Sequence, residues 1–524
     1  MTLHAPVDEQ TSSRSRSSID PLRAELGAVL AAVAVGVGAR VGEHLGWAAG
    51  TVQAGVVIAG FPTVILLAAR RLKMRVARRA AGVACLAAIG AVSMARAAAG
   101  LDGIPARLAV VEAEGTVTVR LAADPNGRWT GARVPARLEA VDGVRARGAV
   151  LVVARKAAAE RILLLETGES AVLLGHFRPL PAVERRWRWR HIGAVFEAHD
   201  LVGAGRPEPA VLRAANGLRH RVLAGGEALG DTDRSLVAGF LVGDDRGLPA
   251  HVAADFRAAG LSHLLVVSGA NVSLALALVA PLLRRFGLLG RLAGGLATLV
   301  VFAAMTRFEP SVLRAGAMSG LALLASYLGR PVAGVRILAL AVAGLVLIDP
   351  FLVHSLGFGL STAASAGILL LAGPIASLLP GPRFVREPLA VTTAAQIGVA
   401  PIALPAFGQL PLVALPANLA AAPAAAALSL WGLGSGVVAG SLKVLTGSAD
   451  AGPLALLQIP TALLAQWIRT VARAAAGSPI MIGPRPAALC ALAVAAVAWR
   501  RRRSVRSRQP TERASALTPA SSDS

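Results

Sequence analysis

The sequence predicts a predominantly α, polytopic membrane protein of about twelve transmembrane helices, with a small β-domain inserted. Three observations carry this expectation. The 524 residues are 55% hydrophobic and only 16% charged, against roughly a quarter charged in soluble domains, and the mean hydropathy is +0.62. Several stretches of about 20 residues lack charge, which is the length a helix needs to cross a bilayer core. Residues 101–206 depart from this pattern, with short alternating runs between Gly, Asp and Pro breaks.

Residues 1–24 are polar and Ser/Arg-rich and read as a disordered cytoplasmic tail with no cleavable signal peptide. Residues 25–100 hold the N-terminal transmembrane helices, with apolar segments near 26–42, 48–69 and 80–97. The basic loop ARRLKMRVARR between the second and third should stay in the cytoplasm, which places residue 100 outside. Residues 101–206 then form an extracytoplasmic domain. Its runs LAVVEAEGTVTVRLAAD, ARVPARLEAV, GAVLVVARKA and ERILLLETGESAVLLGHF argue a small β-barrel or sandwich. Residues 207–260 read as amphipathic helices lying along the membrane surface.

Residues 261–499 form a second membrane block, in which the basic loops LLRRFGLLGR, YLGRPVAGVR and PGPRFVRE alternate with charge-poor ones such as LIDPFLVHS. Residues 500–524 open on Arg500–Arg503 and read as a disordered basic tail, so both termini are cytoplasmic. The net charge of +23 fits nucleic-acid binding or orienting cytoplasmic arginines; the second reading accounts for most of it. The two cysteines, Cys85 and Cys490, lie in apolar segments and support neither a disulfide nor a cysteine metal cluster.

Within LSHLLVVSGANVSLALALV (261–279), His263, Ser268, Asn271 and Ser273 interrupt an apolar run, and Gly269 and Ala270 permit a bend. Polar groups there either line a water-filled path or bond neighbouring helices. Gln396, Gln409 and Asn418 sit among Pro401, Pro405, Pro411, Pro416 and Pro423, which cannot all belong to one unbroken helix. Broken helices beside neutral amides suit a cavity that passes a polar substrate, so His263, Asn271, Gln396, Gln409 and Asn418 are expected to converge on one route. Arg314 reads as a cation at the outer end of a span, either a snorkelling anchor or an attractor for an anionic strand. Asp244, Asp245 and Arg246 precede a helix; the acidic pair reads as a turn or cap rather than a metal site. In RRWRWRH, Arg185, Trp187, Arg188 and Trp189 suit either base stacking beside phosphates or an interfacial girdle, and the girdle is the favoured reading.

The segment AGFLVGDDRGLPAHVAADFRAAGLSHLLVVSGANVSLALAL (238–278) closely resembles the signature of the ComEC/Rec2 competence family. PSVLRAGAM and QIGVAPIALPAFGQLPLVALPANLAAAP are similar to later parts of that family's membrane domain. The resemblance implies an OB-like fold for 101–206 and a channel that passes one strand of transforming DNA into the cytoplasm. It carries His263, Ser268 and Gly269 directly, and places Gln396, Gln409 and Asn418 in the matching later segment. Asn271 stands where the family often has a second His. Many members also carry a metallo-β-lactamase-like domain; none is recognised after residue 450, so nuclease chemistry is not carried over, and no cysteine in 101–206 can form the family's outer disulfide. The implied partners are single-stranded DNA, the bilayer, a DNA receptor and a cytoplasmic helicase or motor, since the chain has no P-loop; self-association is left open. No cofactor, metal or enzymatic activity is expected. The rivals are a transporter or exporter of another polar solute and an intramembrane hydrolase using Ser268 and His263, which at five residues apart do not stack on one helix face.

Overall fold

The computed structural model describes residues 19–44, 75–127, 131–181, 187, 189–207, 209–446, 452–477 and 480–483. Two helices open it, α1 (Ile19–His44) and α2 (Arg75–Ala99), with α1 beginning inside the stretch expected to be tail. They pack face to face through small residues. A methyl group on Gly38 would come within 1.9 Å of the Ala87 carbonyl oxygen, and one on Gly90 within 2.5 Å of that of Val35, so the two backbones touch as in small-residue membrane helix pairs. The span expected at 48–69 lies outside the described residues.

A short helix α3 (Ile104–Val110) leads into five strands: β1 (Glu114–Leu121), β2 (Gly131–Val141), β3 (Val144–Arg155), β4 (Ser170–Pro179) and β5 (Ile192–Gly205). They close a barrel in the order β1-β2-β3-β5-β4. All neighbours are antiparallel except β3 and β5, which are parallel. This is the strand order of an OB-type barrel. Alternation builds its core: Val117, Val119 and Leu121 point inward from β1, Ala171, Leu173 and Phe177 from β4. Phe177 meets Phe196 edge to face at 5.0 Å. Helix α4 (Lys156–Leu163) crosses between β3 and β4 and buries Ala158, Ala159 and Ile162 on the barrel.

Two local expectations are corrected here. Residues 160–163, read as part of a strand, end α4, because Ala158, Ala159 and Ile162 share a helical face. Residues 108–110, also read as extended, close α3. The fifth strand, IGAVFEAHDLVGAG, lies outside the four β-like runs of the sequence.

Residues 207–260 carry α5 (Ala210–Gly225), α6 (Asp231–Val242) and α7 (Ala250–Ala258). One face of these helices packs on the block that follows. Val222, Leu236, Phe240, Leu241 and Phe256 sit in one core with Leu299, Leu428 and Ile468 of the following helices. Those helices are α8 (Gly269–Leu283), α9 (Leu288–Met305), α10 (Pro310–Tyr327), α11 (Gly334–Ile348), α12 (Leu356–Leu378), α13 (Arg383–Phe407), α14 (Ala414–Thr446) and α15 (Gly452–Ala476). Glycines set the closest pairs again. A methyl on Gly440 of α14 would meet the Arg221 carbonyl of α5 at 1.9 Å, and Gly367 of α12 faces Gly398 of α13 in the same way.

Five segments of the described residues are long and apolar enough to cross a bilayer: Ser262–Leu283, Leu288–Met305, Leu356–Leu378, Arg383–Phe407 and Ala414–Leu445. Three shorter apolar helices, Gly27–Arg40, Ala84–Ala95 and Gly334–Ile348, accompany them. The expected dozen is therefore not reached among the described residues, and the apolar run before Arg500 falls outside them. The proline-rich segment is divided between two helices, as the prolines require. Pro388, Pro401 and Pro405 lie within α13 and Pro423 within α14. The chain interrupts at Gly408, which takes φ +77°, and Leu410–Pro411 (β6) pairs there with Met481–Ile482 (β7).

Candidate functional site

The polar segment singled out in the sequence sits where α7 hands over to α8. Ser262–Leu264 form one turn of 3-10 helix, and His263 on that turn is exposed. Ser268 is the N-cap of α8 but gives no side-chain cap. Its Oγ instead donates to Asn271 Oδ1 at 3.4 Å. Asn271 Nδ2 donates to the Phe240 carbonyl of α6 at 2.8 Å, and Ser429 Oγ of α14 donates to Asn271 Oδ1 at 3.3 Å. Asn271 thus ties three helices together.

Gly269 lies against Arg314 of α10: a methyl group there would come within 2.7 Å of Arg314 Nη2. Arg314 is the fifth residue of α10, near a helix end as the sequence expects, but it does not snorkel outward. The side chain turns inward and is only 9% exposed. Its Nη2 donates to Ser361 Oγ of α12 at 2.7 Å and its Nη1 to Met318 Sδ at 3.3 Å. Ser311 Oγ reaches back to the Val267 carbonyl at 2.9 Å. The other expected members stand apart. Gln396 is half-buried on α13 and Gln409 is exposed at the interruption, while Asn418 is buried on α14. Among the described residues none of the three hydrogen-bonds to the 263–271 segment. Ser361 and Ser429, which do join or border it, were missed in the sequence; their only signal is a small hydroxyl inside an apolar helix.

A second polar cluster joins the barrel to the helices. Arg219 of α5, 2% exposed, donates from Nη1 to the Val242 carbonyl at 2.7 Å and to the Met305 carbonyl at 3.3 Å. Its Nη2 meets Asp244 Oδ2 at 2.8 Å and Asp124 Oδ2 at 3.0 Å. Asp124, from the loop after β1, also receives Arg307 Nε at 3.0 Å and Thr167 Oγ1 at 2.8 Å. Asn216 completes the ring, accepting from Arg307 and donating to the Thr167 carbonyl at 3.1 Å. Arg246 grips Asp244 with two bonds, 2.8 and 2.7 Å, and reaches the Pro125 carbonyl.

Burial alone would raise the Asp244 carboxyl; the hydrogen bonds from Arg246 and the charge of Arg219 overcome it and hold Asp244 at about 2. Asp124 is likewise depressed despite its burial, by Arg219 and Arg307. Arg307 and Phe308 take φ of +60° and +54°. That left-handed pair, costly for residues other than glycine, turns the α9–α10 corner toward the barrel. Asp244, read in the sequence as a turn residue, is therefore also a charged partner in a buried network, and its neighbour Arg219 was not anticipated.

The aromatic-basic run forms a strap after β4. Arg185 and Arg188 lie outside the described residues. Trp187 packs on Leu151, Ile192 and Val195, and Trp189 packs beside Val35, Phe351 and Leu352. Arg190 stands 4.8 Å from the Trp189 ring centroid and 5.7 Å from that of Trp187, and pairs with Glu309 at 3.5 Å. His191 Nε2 lies 3.0 Å from Asp349 Oδ1. The indole rings are engaged within the molecule.

A block of apolar helices, clamped by buried ion pairs to a five-stranded barrel, defines the class: a membrane protein that carries a small barrel. The chain belongs to the competence protein family, whose description, Competence protein, matches residues 240–503. It is similar to ComE operon protein 3 of Bacillus subtilis (strain 168), 26% identical over 299 residues, which is 55% of this chain and 38% of that protein. The chain thus covers well under half of that relative's length. No solved structure matches it.

Proposed function

We propose that this protein passes a single strand of DNA across the membrane during DNA uptake, without itself cutting it. The observation that carries this is the family membership of residues 240–503, which takes in the 263–271 segment, Arg314 and the residues they bond, Phe240, Met318, Ser361 and Ser429. Two features support it. Neutral hydroxyls and amides, Asn271, Ser361 and Ser429, lie inside apolar helices, with Ser268 at the cap of one, where polar groups serve a path or a helix contact. An OB-type barrel, an architecture that binds oligonucleotides, is fixed beside them. The barrel receives the strand on the extracytoplasmic side, and a DNA receptor and a cytoplasmic motor supply and draw it, because the described helices hold no nucleotide-binding loop.

The test reconstitutes the full chain in vesicles and offers a labelled oligonucleotide, single-stranded or duplex, or a neutral polar solute of similar diameter. Entry of the single strand into a nuclease-protected lumen, with duplex excluded, is the expected result. Flux of the solute with no strand entry would instead establish a solute transporter.

A further inference from the structure

We propose that Arg314 and the first turn of α8 form an anion site inside the helical block that takes one phosphate group. This deepens the strand-passage reading and rests on it for the source of the phosphate, a phosphodiester of the moving strand.

Three observations converge. The N-terminus of α8 is uncapped: Ser268 makes no capping bond, its hydroxyl being turned to Asn271. The backbone N–H groups of Gly269 and Ala270 have no acceptor among the described residues. The start of a 15-residue helix carries partial positive charge and free donors. The second observation is the guanidinium laid on that turn. Arg314 is nine-tenths buried, its Nε has no partner, and among the described residues no carboxylate lies within ion-pair distance of it. Its bonds go to a hydroxyl and a thioether. A buried cation facing the positive end of a helix, with no negative charge between them, is an arrangement of like signs that an anion relieves. The third observation is access. Ala270 is exposed and Ser268 half-buried, so no other helix of the block covers one side of the turn. Gly269 is what lets Arg314 approach, since any side chain there would displace Nη2.

The donor set selects phosphate chemistry. A planar fork of guanidinium N–H groups and adjacent backbone amides suits the oxygens of a phosphate. One fixed cation also suits passage. A lining of many would hold a polyanion in place, since each phosphate contact adds to its affinity.

The test uses the full chain in lipid nanodiscs and amide hydrogen exchange over residues 266–275, with inorganic phosphate and a short single-stranded oligonucleotide as separate probes. Slowed exchange at Gly269 and Ala270 is expected. Arg314→Gln should abolish the protection and weaken binding of the probe tenfold or more, while Arg314→Lys retains part of both. Protection by the oligonucleotide assigns the site to the strand; protection by inorganic phosphate alone keeps the site and makes free phosphate its ligand. No protection by either probe in the unaltered protein, or equal protection with Arg314→Gln, overturns the proposal. Should Arg314→Gln fail to fold, the unaltered protein and Arg314→Lys still decide it. Vesicle transfer separates the two readings. If phosphate binds at Arg314 and no strand crosses, strand passage fails and the site stands. If Arg314→Gln passes the strand at the unaltered rate, the site's role fails and strand passage stands.

Discussion

Arg219 contributes two things at once: it satisfies two backbone carbonyls and it neutralises Asp124 and Asp244. Removing one partner from a buried ion pair leaves the others uncompensated, at a cost of about 3–5 kcal/mol. Arg219→Ala should therefore lower unfolding free energy in detergent by that order, read by thermal or denaturant unfolding. A loss below about 1 kcal/mol would show that water already screens the cluster. The same cluster sets an acid limit. Asp244 falls from its ordinary 3.8 to about 2, so its contribution is complete above pH ~4 and is lost as pH drops toward 2, on the order of 2 kcal/mol. Proteolysis of the 206–209 linker, followed from pH 5 to pH 2, should accelerate across that window and stay flat above it. Little of this was legible beforehand. Arg219 lies in ANGLRHRV without any spacing that names its partners, because Asp124 and Arg307 are 95 and 88 positions away and only the folded chain brings them together.

At the scale of elements, periodicity served well where one face meets one environment. The strands of the barrel alternate because one side is core, and the long apolar helices declare themselves by length. It failed where two environments compete. The α4 segment is apolar enough for a strand, and helical geometry wins because it buries Ala158, Ala159 and Ile162 together in the barrel core. Residues 210–258 look amphipathic, and part of their apolar surface meets other helices. Glycine decides several of these contacts. Gly440→Leu should drive α5 off α14, since even a methyl there would enter the Arg221 carbonyl; overpacking of this kind costs about 1–3 kcal/mol or more. A Cys pair spanning α5 and α14 should cross-link readily in the parent and poorly in Gly440→Leu. Equal cross-linking would mean that the helices adjust without separating.

The whole molecule is a barrel held to a helical block, and its orientation is an expectation from loop charge. With Cys85 and Cys490 replaced, a cysteine at Val144, the exposed first residue of β3, should react with an impermeant reagent on intact cells. Reaction only after the cells are opened would place the barrel in the cytoplasm and reverse the topology. The barrel itself is expected to bind single-stranded DNA weakly. Its affinity in the full chain should fall steeply with rising salt, and a salt-independent response would leave the barrel a structural collar. The resemblance in residues 238–278 gave the membrane block its family before any fold was visible, whereas the buried network and the inward turn of Arg314 depend on side-chain directions that no linear pattern encodes.

The separation of the clamp's members along the chain has a consequence for how the protein is made. Asp124 and Arg307 are 183 residues apart. The last strand of the barrel ends at Gly205, 102 residues before Arg307, so at about 5–20 residues per second of synthesis the barrel finishes roughly 5–20 s before its last electrostatic partner leaves the ribosome. Through that interval the barrel is closed but undocked, and its acidic loop faces water. Docking then waits on the insertion of α9 and the strained corner that follows it, so the arrival of Arg307 acts as a completion signal. Ribosome-stalled chains ending before residue 300 should carry a protease-resistant barrel on a cleavable linker. Chains stalled well past α10 should protect both. A linker already protected in the shorter chains would show that Arg219 and Asp244 dock the barrel without waiting.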